Sequence, residues 1–185
     1  MDETTELALR AARGDRDALD ALIERAYRPV WRYCATMIGA ELAEELAQDT
    51  FEHALRTLRR FRAESSVTTW LIGIARHLCI DRLRADRRRS LVHQQMAELA
   101  RPGWQGGDAA SRLGLLEMIG RLEPDRREAF VLTQVLGFTY EEAAGICGCP
   151  IGTIRSRLAR ARSELLAASL EPEAGQMSRR TDAAD

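Results

Sequence analysis

Apolar residues recur at three- and four-residue intervals through almost the whole chain, and no convincing run of four or more positions alternates between apolar and polar. That spacing is the period of the α-helix, about 3.6 residues, and not that of a half-buried strand. The expected fold class is all-α.

The first helix is expected from Thr5 to Arg13, where Gly14-Asp15 supplies a stop and a new N-cap. A second follows from Arg16 to Ile38, with Leu19, Leu22, Ile23, Ala26 and Val30 on one face and a kink at Pro29. In the third, from Ala40 to Arg59, Leu42, Leu46, Ala47, Thr50, Phe51, Ala54, Leu55 and Leu58 take the helical apolar spacing, leaving Glu45, Gln48, Asp49, Glu52 and Arg56 on the other side. Its acids come early and its arginines late, as the helix macrodipole favours. A polar loop from Phe61 to Thr68 leads into a fourth helix, Thr69 to Arg87.

Between about Arg89 and Ser111 the periodicity breaks, and the segment Arg101-Pro102-Gly103-Trp104-Gln105-Gly106-Gly107-Asp108 carries the residues that end helices. The pattern thus predicts two small helical domains, 1–90 and 112–170, joined by a flexible linker at 91–111, with a polar, disordered tail at 171–185. The second domain begins with a helix from Arg112 to Leu122. Pro124 then suits the first position of another, which runs to Leu136 and stops at Gly137.

Thr139-Tyr140-Glu141-Glu142 has the form of a capping box and should open a short helix ending at Cys147. Gly148-Cys149-Pro150 makes a turn, and a last helix runs from Pro150 to Ser169. A short helix, a tight glycine turn and a longer basic helix form a helix-turn-helix. With Ala143, Ala144, Ile151, Ile154, Leu158 and Leu165 facing inward, Thr153, Arg155, Ser156, Arg157, Ala159 and Arg160 are presented outward. Arginine can fork onto guanine N7 and O6, serine can bond base or phosphate, and alanine can touch a thymine methyl. Free amides after Pro150 can take a phosphate.

Composition narrows the classes. Hydrophobic residues make up 45% and charged residues 30%, and no stretch approaches the roughly 18 apolar residues of a spanning helix. The start, Met1-Asp2-Glu3-Thr4-Thr5-Glu6, is acidic where a signal peptide is basic, so a cytoplasmic location without a membrane partner is expected. Net charge is only −1, but arginines gather at Arg56 to Arg62, Arg76 to Arg89 and Arg155 to Arg162, and no lysine occurs. Cys34, Cys79, Cys147 and Cys149 lack metal-site spacing and read as buried apolar thiols, implying no metal and no cofactor. No nucleophile-base triad or phosphate loop suggests an enzyme.

Two further stretches resemble a known family. The run Leu122-Glu123-Pro124-Asp125-Arg126-Arg127-Glu128-Ala129-Phe130, then Gly137 to Ala144, then Cys149 to Arg162 resembles region four of the extracytoplasmic-function (ECF) sigma factors of bacterial RNA polymerase. Glu44-Glu45-Leu46-Ala47-Gln48-Asp49-Thr50-Phe51 resembles the polymerase-binding helix of sigma region two, and Phe61-Arg62 through Thr69-Trp70-Leu71-Ile72-Gly73-Ile74-Ala75-Arg76-His77 its promoter-melting segment. The resemblance covers about Leu7 to Leu170.

It implies that Glu45, Gln48, Asp49, Glu52 and Arg56, with Phe51 and Leu55 at the margin, grip the clamp of the largest polymerase subunit. It places Phe61, Arg62, Ser65, Ser66, Thr69, Arg76, His77, Asp81 and Arg84 on the −10 element, where aromatic rings stack with unpaired bases and arginines follow the backbone. His77 stands where many relatives carry an amide. Arg155, Ser156, Ala159 and Arg160 are placed on the −35 element, Thr153 and Arg157 on its phosphates, and Ala159 is smaller than its counterparts. Trp70 reads as core. The implied function is promoter-directed initiation and ATP-independent melting, with core RNA polymerase, promoter DNA and a cognate anti-sigma factor as partners. The rival readings are a stand-alone regulator, which needs an α/β sensory domain that the helical first half does not supply, and an all-α enzyme or interaction module with an incidental basic helix.

Overall fold

The first two helices start on acidic caps. In α1 (Glu3–Ala12) the Asp2 carboxylate accepts from the Thr5 amide at 3.0 Å, and in α2 (Arg16–Ile38) Asp15 accepts from the Ala18 amide at 3.0 Å. These bonds satisfy amides that no helical carbonyl reaches. The computed structural model describes the backbone of residues 2–93 and 118–170, and side chains at 2–86 and 118–169. The expected linker beyond His93, the first part of the helix expected from Arg112 and the tail 171–185 lie outside the described residues.

α2 continues through Pro29 and ends at Gly39, whose φ of 110° suits glycine. α3 (Ala40–Thr57) follows at once, then a single 3-10 turn, Leu58–Arg60, and α4 (Val67–His93). α4 starts two residues before the position expected from periodicity. Ser66 is the reason: its hydroxyl accepts from the Thr69 amide at 3.1 Å and so caps the helix. The buried Thr5 hydroxyl accepts from the Val67 amide at 2.9 Å, tying α1 to the same helix start. Leu22, Val30, Tyr33, Leu46, Leu71 and Ile72 fill the core, while Ala26, Ala43, Ala47 and Ala75 let the helices approach closely.

In the second half, a helical turn at 118–121 precedes α5 (Pro124–Phe130), whose proline takes the first position. The regular helix expected to reach Leu136 instead widens into a π-helical turn at Val131–Val135. Leu136 donates to the Val131 carbonyl at 2.9 Å, and the buried Thr133 hydroxyl shares the Ala129 carbonyl at 2.7 Å with the ladder. α6 (Tyr140–Cys147) opens on the expected capping box, with the Glu142 amide donating to Thr139 Oγ1 at 3.2 Å and the Thr139 amide to Glu142 Oε2 at 2.9 Å. Gly148, left-handed at φ 63°, turns the chain into α7 (Ile151–Leu170). Among the described residues there is no strand.

The two groups of helices pack on one another, α6 against α4 and α5 against α2. Tyr33 donates to Glu128 Oε1 at 2.7 Å, Arg127 to the Met37 carbonyl at 2.9 Å and Arg32 to the Val135 carbonyl at 3.1 Å.

Candidate nucleic-acid interface

The helix-turn-helix owes its shape to the residues that it buries. Ala143, Ala144, Ile154, Leu158 and Ala161 are buried between α5, α6 and α7, which fixes the rotation of α7. Arg155, Ser156, Ala159 and Arg160 consequently emerge together as exposed residues. A helix presenting two arginines and two small residues on one open face can enter a major groove. The Arg155 guanidinium lies 6.0 Å from the centroid of the Tyr140 ring, a cation–π distance that steadies it at the first residue of α6. Tyr140 was not singled out in the sequence; its place beside the cap residue Thr139, at the mouth of the turn, is the available signal.

Of the two residues expected on DNA phosphates, one has its charge engaged within the protein. Thr153 is half-buried, and Arg157 is half-buried with its guanidinium ion-paired to Asp125 and near Cys149 Sγ at 3.8 Å. Arg157 therefore braces α5 against α7. Arg126 does the same through Glu164, and Arg162 donates to Gln134 at 2.8 Å. Leu165 is half-buried rather than core, and the neighbouring Leu166 is exposed.

On α3, Glu45, Gln48, Asp49, Glu52, Leu55 and Arg56 are all exposed. Phe51, expected at the margin of this face, lies inside instead, stacked on Tyr27 with ring centroids 6.0 Å apart. Its burial is what turns the polar side outward. Arg56 pairs with Glu52 at 3.4 Å, one helical turn away, and Arg82 on α4 reaches Glu45 at 3.7 Å.

The loop before α4 carries Arg62 and Ser65 exposed, while Ser66 and Thr69 hold one another by their hydroxyls at 2.8 Å. Phe61 is half-buried and packs on Trp70 with centroids 5.0 Å apart, and Trp70 itself belongs to the margin of the core. Ala63, at φ 53°, gives the loop its turn. Along α4, His77, Asp81 and Arg84 are exposed. His77 Nδ1 lies 2.7 Å from the Gly73 carbonyl oxygen, an acceptor, so the proton sits on Nδ1 and Nε2 remains for an outside partner. Asp81 and Arg84 pair loosely at 3.8 Å.

Arg76 departs from the expectation that it shares the outward face. Its side chain is 18% exposed, and its Nε donates to Glu128 Oε1 at 2.8 Å. Burial pulls its pKa down, but the facing carboxylate outweighs that and the net shift is upward. Glu128 was not recognised in the sequence. The signal was an acid on the apolar stripe of its helix, one turn before Leu132. Cys34, Cys79 and Cys147 are buried and Cys149 half-buried, as free thiols. Burial, then the nearby Glu128 carboxylate, push the Cys147 thiol up, away from reactivity.

The family models for Sigma-70 region 2 and Sigma-70 region 4 match residues 22–89 and 112–165. A curated relative, the ECF RNA polymerase sigma factor SigC of Mycobacterium tuberculosis, is 44% identical over 91% of this chain and 92% of its own. The chain belongs to the ECF sigma factors. A more distant relative, the ECF RNA polymerase sigma factor EcfG of Rhodopseudomonas palustris, is 37% identical over 70% of this sigma factor and 72% of its own length. Two solved structures share the fold. The sigma factor RpoE of Bartonella quintana, crystallised with the anti-sigma factor NepR, has a TM-score of 0.70 and 28% identity over 82% of this chain and 96% of that one. CnrH, in complex with the cytosolic domain of CnrY, has a TM-score of 0.67 and 26% identity over 90% and 96%. Sigma factors initiate transcription and are not enzymes. No described helix of this sigma factor is long and apolar enough to cross a membrane.

Proposed function

We propose that this ECF sigma factor divides promoter recognition between its two ends, residues 1–90 serving core polymerase and the −10 element and residues 112–170 the −35 element, with 91–111 as the connecting linker. The observation that carries this is the single open face of α7 bearing Arg155, Ser156, Ala159 and Arg160. Bidentate arginines and a hydroxyl on that face read base edges, while Ala159 makes only an apolar touch. Arg157, paired with Asp125, supports the head from behind rather than reaching for phosphate.

Core polymerase is held by the polar side of α3, where Glu45, Gln48, Asp49, Glu52, Leu55 and Arg56 are exposed and the buried Phe51 sets the orientation. The exposed Leu55 offers an apolar centre within a charged rim. At the −10 element, Arg62, Ser65 and Arg84 follow the strand backbone, His77 offers Nε2 to an unpaired base, and Phe61 lends a ring edge for stacking. Ser66 and Thr69 shape the loop, and Asp81 keeps Arg84 in place. Capturing unpaired bases opens the duplex without ATP, because binding favours the melted state. The factor works in the cytoplasm, where polymerase and promoter DNA are found. Since a similar sigma factor was crystallised with an anti-sigma factor, a cognate anti-sigma protein is its proposed regulator.

Transcription in vitro tests the whole reading. The purified chain is added to bacterial core polymerase on fragmented genomic DNA and the 5′ ends of transcripts are sequenced. New starts sharing two spaced elements are expected. A chain that binds duplex DNA by itself yet neither binds core nor directs any start would instead be a stand-alone regulator.

A further inference from the structure

The arginines of α7 are held in different ways. Arg157 is ion-paired to Asp125 and Arg162 donates to Gln134 at 2.8 Å, so both spend N–H donors inside the protein. Arg155 and Arg160 are exposed, and among the described residues neither makes a hydrogen bond or an ion pair. A ring separates these two. The Arg155 guanidinium carbon lies over Tyr140 at 6.0 Å from the centroid, whereas among the described residues no ring stands over Arg160.

Tyr140 is itself a fixed part of the fold. It is the first residue of α6, half-buried against the core, and directly follows Thr139, whose capping box anchors the helix start with bonds of 2.9 and 3.2 Å. Ala143 and Ala144 of α6 and Ile154 and Leu158 of α7 are buried, so the two helices keep one alignment and the ring one place beside Arg155. A tyrosine also has only two side-chain torsions to fix.

The kind of hold decides what the arginine can still do. A carboxylate partner takes N–H donors from the guanidinium, as Asp125 does from Arg157. A ring face attracts the charge and takes none, so the edge that forks onto guanine N7 and O6 stays open. An arginine held in this way loses less rotamer freedom on binding and reaches fewer alternative acceptors. Arg160, without a ring, is free to turn from a base edge to a neighbouring phosphate.

We propose that Tyr140 is a positioning residue for −35 recognition: it aims Arg155 at a guanine and makes the base step under Arg155 more strictly read than the one under Arg160. This rests on the function proposed above for the open face of α7. Tyr140 acts through Arg155, so its loss changes selectivity at one base step and not affinity for DNA in general.

The test uses holoenzyme assembled from core polymerase and the full chain, on a promoter found by the transcript mapping above and randomised across its −35 element. Arg155→Ala identifies the base step that Arg155 reads, as the one whose preference for guanine disappears. Tyr140→Leu should lower that preference about threefold, the size of an exposed cation–π contact, and leave the other steps as they were. Tyr140→Phe, which keeps the ring, should restore it. In the Arg155→Ala background, Tyr140→Leu should have no further effect at that step.

An Arg155-dependent step indifferent to Tyr140→Leu overturns the positioning role. So does a loss that Tyr140→Phe shares, that persists without Arg155, or that spreads evenly over all steps. If Tyr140→Leu loses its helicity by circular dichroism, nuclear magnetic resonance of the wild-type chain decides: the ring current should move the Arg155 side-chain protons upfield of those of Arg160, and coincident shifts overturn the contact. Failure of the underlying reading is distinct. Arg155→Ala without effect at every −35 step overturns the assignment of α7, and the role of Tyr140 falls with it.

Discussion

Arg155 and Arg160 stand exposed on α7 while Arg157, between them, is committed to Asp125. Three arginines within six residues of one helix thus have two different duties, set by which side of α7 each occupies. Replacing both Arg155 and Arg160 by alanine is expected to lower transcription from a promoter that depends on its −35 element, each lost base contact costing about 1–3 kcal/mol. Core binding should stay at the wild-type level. Run-off transcription on promoter pairs with and without the element checks this, and equal losses on both would refute the assignment. Phe51 shows the same logic in reverse: an aromatic residue beside the exposed acids of α3 is a core residue on Tyr27.

The reading head is only as well placed as the short helix beneath it. α6 has eight residues, too few to be stable in isolation, and depends on its capping box and on α7. Thr139→Ala removes the cap acceptor, and a destabilisation of about 1 kcal/mol is expected, measurable as a lower midpoint in urea unfolding followed by circular dichroism. At the other end of the chain, α1 and α2 begin on acids. The Asp2 carboxyl is held below its ordinary value, first by the Thr5 hydroxyl, and the Asp15 carboxyl first by the Ala18 amide, with Arg10 adding to it. A carboxyl whose pKa is lower folded than unfolded stabilises the fold above the unfolded value, about 3.9, and loses that contribution as pH falls through the folded one. Urea midpoints measured downward from pH 5 should therefore decline, and Asp15→Asn, whose amide caps without a charge, should flatten part of the slope.

At the scale of the whole molecule, a net charge of −1 conceals the exposed arginines of α7 and the exposed acids of α3, which the proposed function assigns to promoter DNA and to core polymerase. Separation of sign lets one small chain serve DNA and protein partners on different faces. Promoter binding by the holoenzyme should weaken linearly in log salt, by about 0.9 log units in affinity per log unit of salt for each duplex phosphate neutralised. Filter binding with Arg62→Ala should show a shallower slope than the wild type; an identical slope would remove Arg62 from the DNA backbone.

Local pattern alone determined the helical segments, the caps at Asp15 and Thr139, the glycine turn and the outward side of α7, because helical period and capping depend on residues three or four apart. The all-α fold was legible for that reason; the sigma family was legible only through the resemblance of the stretches from Glu44 to His77 and from Leu122 to Arg162 to its regions two and four. Tertiary structure decided what local pattern could not: that Arg76 turns inward to Glu128, that Arg157 braces α5, and that the helix after Phe130 widens into a π turn around buried Thr133. Two of these depend on partners distant in the chain. Arg76 and Glu128 are 52 residues apart, and an amphipathic period shows only that a charge lies on an apolar stripe. Which opposite charge desolvates with it is settled when the helices pack.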